Sequence, residues 1–466
     1  MATSITGPVS IVFDEPRNPV VYLGDPISLE VAIQGPVSGY QWSWGGEPTI
    51  SNHWKDTYTF STTGTFPVVV AASNNTTQAT ATTMVSVITI PDVHYVSPAG
   101  ANRFPYDSWN NAATMIQTAI DVARPGRTVL VTNGVYNQGG RLIAPSQWSR
   151  VVISNEIKVI SVNGPEFTII EGNGRIDEGE FVDEEIIIGG VVDDGPWEGE
   201  PMRCVSLLGM TVLSGFTLTN GYAWSGGGVR SERSEGMISN CWIVGNEARN
   251  GGGVYGGTLV RSRIIRNVSS EEGGGVVNGL VYNSEIAYNR GRSAAGAWQS
   301  ELRQCTIVGN RAIHRGGGAG ESIVKNSILY FNRAGLKSTA NYTRDCDLQF
   351  CCTLPLKNGV GNFTNNPALV SASHILPGSP CVGAGNPAEA QLSDLDDEPW
   401  AQPPSVGCDE PDAPLAGNLS VRVFSEHLTF TVGHVVHLDA DIIGRPASNL
   451  WHFGNGAEHT NQVTVA

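Results

Sequence analysis

The sequence has no run of 18 or more apolar residues, and this absence excludes a helix that spans a membrane. Positive charge is also scarce, because 28 Lys and Arg oppose 44 Asp and Glu and leave a net charge of −16. Such an acidic chain is a poor partner for nucleic acid. Residues 1–13 contain neither a basic segment nor a long apolar run, so no signal peptide is visible. If the protein is exported, the chain is a mature form or part of a longer protein.

Glycine, by contrast, is abundant, with 56 residues in a chain of 466. This composition favours strands and turns over helical bundles. A chain of this length is too long for one compact core, and two to four domains are expected. Their arrangement is indicated by an internal repeat.

Residues 226–332 repeat with a period of 21 or 22 residues. The period is marked by asparagines: Asn246, Asn267, Asn289, Asn310 and Asn332. An aliphatic residue stands three positions before each of them: Ile243, Ile264, Ile286, Ile307 and Leu329. A small residue stands five positions before each: Cys241, Ser262, Ser284, Cys305 and Ser327. Glycine clusters follow the asparagines, as in 251–253 and 316–318.

The aliphatic and the small positions are two residues apart, which places both on one face of a strand and not of a helix. Leucine-rich repeats have a similar period, but this sequence lacks their leucine-dense pattern. The repeat therefore predicts an all-β fold, a right-handed parallel β-helix whose coils stack at roughly 4.8 Å. We expect aliphatic ladders in the core and asparagines that bond to one another at a turn and tolerate the left-handed conformation. The glycines would form the next corner.

The motifs ISNCWIVGNEARNGGGV and LRQCTIVGNRAIHRGGGAG resemble the β-helix repeats of secreted bacterial proteins related to the polymorphic outer-membrane protein repeat. The segment that begins HYVSPAGANRF resembles the first segment of these proteins, and the segment that begins NPALVSASHILPGSPC resembles the closing region of the choice-of-anchor Q type. The resemblance covers roughly residues 93–411. It implies a solenoid in an extracellular setting more firmly than it implies a reaction.

Residues 1–92 are predicted to form a β-sandwich, because short alternating apolar runs are separated by turn residues. The order YQWSWGG, then YTFSTTGTFPVVVAASN, resembles the PKD-type immunoglobulin-like module. Trp42 is then expected in the core. Residues 412–466 are predicted to be an incomplete second copy, since Gly24, Leu29 and Trp42 match Gly433, Leu438 and Trp451 at an offset of 409 without a gap.

The incomplete copy would expose sheet edges and an apolar face. Two explanations are open. The natural chain continues as a tandem array, which we favour, or a neighbouring subunit supplies the missing strands and the protein associates with itself.

Between the sandwich and the repeat, residues 108–126 have a helical apolar period that Pro125 and Gly126 end, and they predict a helix covering the first coil. The acidic insert 175–200 predicts a protruding, solvated loop. Its carboxylates, Asp183, Asp193 and Asp194 among them, could bind Ca²⁺, but no spacing matches a calcium-binding loop. No other cofactor is expected.

Eight cysteines need an explanation. Cys241 and Cys305 occupy the small ladder three coils apart, too far to bond, and are expected as core thiols. Five more lie in the closing region: Cys346, Cys351, Cys352, Cys381 and Cys408. We expect one or two disulfides among these five in preference to a zinc site, because no paired C-x-x-C pattern is present.

Candidate functional residues follow from equivalent positions in successive coils. Tyr255 and Trp298 come just after the glycine corner, two coils or roughly 10 Å apart, and could stack on two sugar rings. Catalytic candidates, which precede the same corner, are Glu271, Glu272, His314 and Arg315. A basic column that could hold an acidic glycan follows the asparagines: Arg290, Arg311 and Arg333.

Three functional hypotheses remain, and the third is a glycan-binding module that does not polymerise, for which Trp298→Ala alone would abolish retention. The first, which we favour, is an extracellular structural or adhesive module, part of a larger tandem or filamentous surface protein, with glycan as a partner. The second is a secreted polysaccharide lyase, hydrolase or epimerase acting on an anionic glycan, which would need converging acids, bases and cations on adjacent coils.

Overall fold

The computed structural model describes residues 5–14, 18–49, 53–145, 147–154, 156–174, 201–232, 235–411, 419–425, 436–453, 458–460 and 464–465. The chain divides into two compact units, one of Met1–Asp92 with Arg103–Asp107 and one of Val93–Asn102 with Ser108–Ala466. In the described part, no helix is both long and apolar enough to cross a membrane.

The first unit is a β-sandwich. One sheet contains, in order, β1 (Ser10–Phe13), β3 (Pro26–Gln34) and β6 (Lys55–Thr59). The other contains β2 (Val20–Tyr22), β8 (Gln78–Ile88), β7 (Gly64–Ser73), β4 (Gly39–Trp44) and β5 (Glu47–Thr49). Trp42 and Trp44 are buried and stack at 5.8 Å between ring centroids, so Trp42 is a core residue as predicted.

The second unit is a right-handed parallel β-helix, as predicted, built from four parallel sheets. The first sheet contains β9 (Val93–Val96), β10 (Thr128–Val131), β14 (Lys158–Ser161), β17 (Val212–Ser214), β21 (Met237–Ser239), β25 (Thr258–Val260), β29 (Leu280–Tyr282), β33 (Glu301–Arg303), β37 (Ile323–Lys325) and β40 (Asp347–Gln349). The second contains β11 (Gly134–Tyr136), β15 (Thr168–Glu171), β18 (Thr217–Thr219), β22 (Trp242–Val244), β26 (Arg263–Ile265), β30 (Glu285–Ala287), β34 (Thr306–Val308), β38 (Ile328–Tyr330) and β41 (Cys352–Thr353).

The third sheet contains β12 (Arg141–Ala144), β13 (Gln147–Ile153), β16 (Met202–Leu207), β20 (Val229–Ser231), β24 (Val254–Tyr255), β28 (Val276–Val277), β32 (Ala297–Trp298) and β36 (Ala319–Gly320). The fourth contains β19 (Tyr222–Ser225), β23 (Glu247–Asn250), β27 (Val268–Ser269), β31 (Arg290–Gly291), β35 (Arg311–Ala312) and β39 (Arg333–Ala334). A 3₁₀ helix spans Lys337–Thr339. Among the described strands of these four sheets, only β12 departs from the parallel pattern, since it pairs antiparallel with β13.

The predicted aliphatic ladder is confirmed by the strand register. Ile243 pairs with Ile264, Ile264 with Ile286, Ile286 with Ile307, and Ile307 with Leu329. All five side chains are 0% exposed. Residues about 22 positions apart in the chain therefore lie directly above one another in the core.

The asparagine ladder is also present. Asn267 Nδ2 donates to Asn289 Oδ1 at 3.0 Å, and Asn289 Nδ2 donates to Asn310 Oδ1 at 2.9 Å. The expected left-handed conformation, however, lies at the preceding residue and not at the asparagine. It is seen at Gly245, Arg266, Tyr288, Gly309 and Phe331. The chain therefore turns at the residue before each asparagine, and the asparagine side chain points inward and bonds to the next one in the stack.

The predicted helix at the start of the solenoid is present as α1 (Ile116–Val122). Its buried side chains are Ile116, Ala119 and Ile120, which pack toward the first coils. Pro125 and Gly126 follow it, and Gly126 has a φ of +80°, a value that favours glycine.

The closing region, residues 366–411, packs against the outer side of the second sheet. Leu369, Ile375 and Val406 form one buried cluster with Ile265 and Val308 of that sheet. The strands of the second sheet are therefore apolar on both faces. The solenoid has a second core outside its own coils.

All eight cysteines are free and buried. Cys241 and Cys305 are core thiols, as predicted, but the expectation of disulfides in the closing region is wrong for this structure. Cys351 points into the coil, where its thiol lies 3.3 Å from the carbonyl oxygen of Val324, while Cys352 and Cys381 belong to the apolar cluster outside the coil. Burial raises the pKa of Cys351 to about 12, so this thiol stays protonated.

The C-terminal strands belong to the same unit as the solenoid. They are β42 (Ser420–Ser425), β43 (Leu438–Ile443) and β46 (Thr464–Val465) in one sheet, and β44 (Leu450–His452) and β45 (Glu458–Thr460) in another. Arg263 donates to Glu285 at 2.8 Å and to Asp441 at 3.2 Å, and all three side chains are buried. A buried charge network thus attaches β43 to the second sheet.

Candidate functional site

The third sheet presents one side chain per coil on its outer face. Its inward residues, such as Val254 and Ala297, are fully buried. The outward residues stand in register: Arg230, Tyr255, Val277, Trp298 and Gly320. Tyr255 and Trp298 are half-buried and Val277 between them is buried, and we call the two rings with this valine the aromatic column.

Trp298 lies against the coil that follows it. A Cβ atom on Gly320 would stand 2.5 Å from Cε3 of the indole, so only glycine leaves room for the ring there. Trp298 is half-buried. An indole that rests on the backbone of the next coil and remains partly exposed can offer its free side to the apolar face of a ring.

Polar side chains border the aromatic column. They form a row of residues with positive φ that follow the strands: Asn278, Gln299 and Glu321. Asn278 Nδ2 donates to the hydroxyl of Tyr255 at 3.2 Å, and Gln299 Nε2 donates to Glu321 Oε2 at 2.9 Å. All three of these polar residues are exposed. Amides and a carboxylate beside aromatic rings can bond to the hydroxyl groups of a sugar.

The predicted catalytic candidates fall in a second set, on the other side of the glycine corner. Glu271 Oε1 is 3.6 Å from Arg249 Nη2, and Glu271 Oε2 is 3.7 Å from Arg292 Nη1. Arg292 Nε is 3.2 Å from His314 Nε2, and Arg249 lies 4.5 Å from the ring centroid of Trp224. We call this chain of contacts the charged ladder. It brings Glu271 and His314 together through Arg292.

Two of the catalytic candidates lie apart from these contacts. The backbone nitrogen of Glu272 donates to the Asn250 side chain at 3.4 Å, and Arg315 is exposed beyond His314. Arg249 and Arg292, which join the ladder, were missed although they stand two positions before Gly251 and Ala294, both with positive φ. Glu271 and His314 stand in the same way two positions before Gly273 and Gly316. Trp224, which is 65% exposed and two positions before Gly226, was missed as well, so this equal spacing is the signal that could have found all three.

The predicted basic column is in register on the fourth sheet. Arg290 pairs with Arg311, and Arg311 pairs with Arg333. The last of the three lies 3.9 Å from Asp439 of the C-terminal strands. The Arg333 end of the column therefore faces the C-terminal strands as well as solvent.

A polar cluster in the closing region was not predicted. His374 Nε2 lies 2.9 Å from Asp396 Oδ2, and its Nδ1 lies 2.7 Å from Ser371 Oγ. Arg445 donates to the same Asp396 oxygen at 2.8 Å, while Asp409 accepts from the Ile375 backbone at 2.9 Å. The residues are scattered between 371 and 445, so no spacing could have indicated them.

The charges in this cluster influence one another. Burial opposes the charged ring of His374, but the hydrogen bond with Asp396 and the charge of Asp409 outweigh burial and raise the pKa of His374. Burial raises the pKa of Asp409 to about 6. Burial also acts on Asp396, yet His374 and Arg445 lower its pKa to about 2.

The composition of the cluster suggests two kinds of chemistry, a metal site and a Ser-His-Asp triad. Ligand atoms of His374, Asp396 and Asp409 all lie within 4.8 Å of one another, and this is the only such group found in the described residues. However, Asp396 is already bonded to both His374 and Arg445. Ser371, the serine of the triad, is fully buried, so it cannot reach a substrate. The arrangement serves best as an internal anchor.

The predicted calcium candidates, Asp183, Asp193 and Asp194, lie outside the described residues. Among the described ones, the exposed groups suited to a ligand are therefore the aromatic column with its polar row, and the charged ladder. The fold and these surfaces define a parallel β-helix with an aromatic, sugar-compatible face.

No family model matches the chain, and no curated protein matches it. Two solved structures are similar to it in part. One is a family 28 exopolygalacturonase of Yersinia enterocolitica, with 14% identity over 76% of this chain and 87% of that chain and a TM-score of 0.24. The other contains the N-terminal four Ig domains of Dscam1 isoform 6.9, with 16% identity and a TM-score of 0.15. This likeness covers 17% of the present chain and 21% of that one. Neither likeness indicates a function.

Proposed function

We propose that this protein is an extracellular glycan-binding β-solenoid that acts as a structural or adhesive module. The observation that carries the proposal is the aromatic column. Tyr255 and Trp298 stand two coils apart on one outward face, about 10 Å by strand spacing, which is close to the span of two sugar rings. The adjoining amides and carboxylate supply donors and acceptors for hydroxyl groups.

Rigidity supports binding at this face. Val254 and Ala297, the inward neighbours of Tyr255 and Trp298 on β24 and β32, are fully buried, so the two strands cannot shift independently. A preformed row of rings loses little conformational entropy when a polymer binds. Several weak contacts along a rod can then add up to useful avidity.

The test is affinity electrophoresis of the full chain through gels that contain soluble acidic or neutral polysaccharides. Trp298→Ala should weaken retention about tenfold, since a stacked aromatic contributes about 1 to 2 kcal/mol. Trp54→Ala is the matched control, because Trp54 is also exposed but belongs to the other compact unit. Equal retention of the native protein and Trp298→Ala on every retaining gel would refute the aromatic column as the binding face.

A polysaccharide-active enzyme is the second candidate, favoured by the charged ladder, where an acid, two cations and a histidine meet. Against it, Glu271 is engaged by two guanidinium groups, and a general base must be able to take a proton from substrate. Release of reducing sugar or unsaturated uronate from an anionic glycan, abolished by Glu271→Gln or His314→Ala in the charged ladder, would establish the enzyme.

The larger architecture is also part of the proposal. A tandem or filamentous surface protein with PKD-type modules, built from repeats of the polymorphic outer-membrane type, accords with a solenoid of stacked coils. We also propose that the protein associates with itself through the C-terminal strands. In the described part of its sheet, β42 is an edge strand with exposed Val421 and Val423, so it could pair with a strand of another subunit. Sedimentation velocity over a range of protein concentrations tests it, and a single monomeric species throughout would rule it out.

A further inference from the structure

The charged ladder is an accessible row of side chains whose charges alternate along the stack. A cation, Arg249, is followed by an anion, Glu271, and then by a second cation, Arg292. The side chains of the two arginines are 46% and 53% exposed, and that of Glu271 is 30% exposed. A polymer in solution can therefore reach all three charged groups.

The backbone fixes the spacing of these charges. The backbone nitrogen of Glu271 donates to the carbonyl oxygen of Arg249 at 3.0 Å, and the nitrogen of Ser293 donates to the carbonyl oxygen of Glu271 at 3.0 Å. Arg249, Glu271 and Arg292 thus lie on three consecutive coils, each about 4.8 Å from the next. The two cations are two coils apart, about 10 Å, with one anion between them.

Glu271 holds the two guanidinium groups in place without occupying their N–H groups. Its carboxylate oxygens lie 3.6 Å from Arg249 Nη2 and 3.7 Å from Arg292 Nη1, which is longer than a hydrogen bond. On the outer sides of the pair, Arg249 lies over the ring of Trp224, and Arg292 Nε donates to His314 Nε2 at 3.2 Å. Among the described contacts, each guanidinium group is therefore fixed from both sides and keeps N–H donors for a ligand.

We propose that the charged ladder binds an acidic glycan that presents one anionic group to the protein for every two sugars. Two coils are close to the span of two sugar rings, so successive sugars would lie over successive coils. Anionic groups two sugars apart would then face Arg249 and Arg292, because a guanidinium group donates parallel hydrogen bonds to a carboxylate or a sulfate. Trp224, 65% exposed, would stack on the sugar beyond Arg249.

Glu271 gives the ladder its selectivity. The sugar between two anionic groups would lie over Glu271, whose carboxylate accepts hydrogen bonds from hydroxyl groups and repels another anion. A glycan with an anionic group on every sugar would place a like charge against it. The inference rests on the proposed function, and it adds a ligand class and a second binding face, across the glycine corner from the aromatic column.

The first experiment is affinity electrophoresis of the full chain through hyaluronan, which carries a carboxylate on every second sugar. Arg292→Gln should weaken retention about tenfold and leave retention by a neutral glucan unchanged, because it removes a charge-assisted hydrogen bond. Arg141→Gln is the matched control, since it also loses one positive charge and Arg141 is an exposed arginine of the same unit that pairs with Asp121 at 2.8 Å. Equal retention of the two variants by hyaluronan overturns the ladder as a binding face.

The second experiment tests the selectivity with heparin, which carries anionic groups on nearly every sugar. Glu271→Gln should strengthen retention by heparin roughly threefold and change retention by hyaluronan much less, because only heparin places an anion against Glu271. Glu272→Gln is the control, since it removes the same charge from the adjacent residue. An equal rise on both polymers after Glu271→Gln would mean that this carboxylate acts through net charge alone, and the proposed spacing would fail.

The two binding faces can fail separately. If Trp298→Ala weakens retention by a neutral glucan and Arg292→Gln changes nothing on hyaluronan, the proposed function stands and the inference fails. If Arg292→Gln weakens retention by hyaluronan and Trp298→Ala changes nothing on any gel, the ladder stands and the aromatic column fails. If neither hyaluronan nor heparin retains the native protein, the inference is overturned, and the neutral gels alone decide the proposed function.

Discussion

The repeating stack, residues 226–332, and the closing region, residues 366–411, bury polar groups in different ways. In the stack, the same contact recurs in each coil, as when Asn267 and Asn289 each bond to the next asparagine at 3.0 and 2.9 Å. In the closing region, each contact occurs once. Glu410 accepts from the Ser405 backbone at 2.9 Å and from its hydroxyl at 2.8 Å.

The difference shows two solutions to one requirement, that buried backbone groups find partners. The stack satisfies them through strand pairing and neutral amides. The closing region has no regular strands in its described residues, and carboxylates accept the free N–H groups instead, as Asp394 does from Glu398 at 2.7 Å and from Glu410 at 3.0 Å. One region is therefore neutral and periodic inside, and the other is charged and specific.

The largest effect is expected in the stack, from Asn289→Ala. The fully buried amide accepts from the backbone and side chain of Asn267 and donates to Ile264 and Asn310. Its removal breaks four buried hydrogen bonds, although Asn267 Nδ2 keeps its bond to Ile243 and Asn310 Oδ1 keeps its bond from the backbone of residue 289. The free energy of unfolding should fall by about 3 to 5 kcal/mol. Urea denaturation followed by circular dichroism measures the change.

Asn137→Ala is the control for this variant, because Asn137 is exposed and its hydrogen bonds, to Glu171 and Gln138, lie at the surface. It should change the free energy of unfolding by less than about 0.5 kcal/mol. A loss of similar size in both variants would mean that the ladder contributes nothing beyond an ordinary surface asparagine.

The fold of the stack could be predicted from the sequence because its contacts are periodic. Ile243, Ile264 and Ile286 have the same spacing in the chain as in space, one coil apart. The closing region offers no such relation. Its apolar residues pack on the outside of the second sheet, where they cover outward residues such as Val308. The sequence does not show that Val308 is covered, because apolar residues also occur at uncovered strand positions.

The candidate site was predicted in part for the same reason. Tyr255 and Trp298 were found because they occupy equivalent places in two coils, and the register confirms that equivalence. Their role in binding stays a prediction. The polar cluster of His374, Asp396 and Asp409 could not be found, because these residues have no regular spacing in the chain and meet only in the folded closing region.

A smaller effect is expected in the closing region, from Asp396→Asn. This change keeps the shape but removes the charge that receives hydrogen bonds from Arg445 and faces His374. Because the carboxylate is one-third exposed, the loss of stability should be about 1 to 2 kcal/mol. Hydrogen exchange should become faster in residues 366–411 and remain unchanged in the asparagine ladder.

The neighbouring Asp397→Asn is a matched control, since this side chain is 73% exposed and also pairs with an arginine, Arg261. Little change is expected from it. If exchange in the ladder accelerates as much as in the closing region after Asp396→Asn, the two regions unfold as one unit and the contrast between them disappears.

The smallest effect is a pH dependence confined to the closing region. The pKa of Asp409, raised to about 6 by burial, exceeds its value in the unfolded chain, so its contribution to stability is present at low pH and is lost as pH rises through 6. The pKa of His374 is raised too, and its contribution is lost at higher pH still. Asp396 acts oppositely, because its pKa near 2 gives a contribution that is lost only below about pH 4.

The closing region should therefore be most stable near pH 4, where Asp396 is still charged and Asp409 is still largely protonated, and weaken by on the order of 1 kcal/mol or more toward pH 8. The asparagine ladder cannot respond in this way, because amides do not titrate. Amide hydrogen exchange is measured near pH 4 and at pH 8 and corrected for the intrinsic exchange rate. Protection should fall in the closing region and stay the same in the asparagine ladder. Asp409→Asn should flatten the profile, since an amide at this position still accepts from the Ile375 backbone but carries no charge to lose. A profile that kept its slope in Asp409→Asn would transfer the pH dependence to His374 and to Asp394, whose pKa burial also raises to about 6.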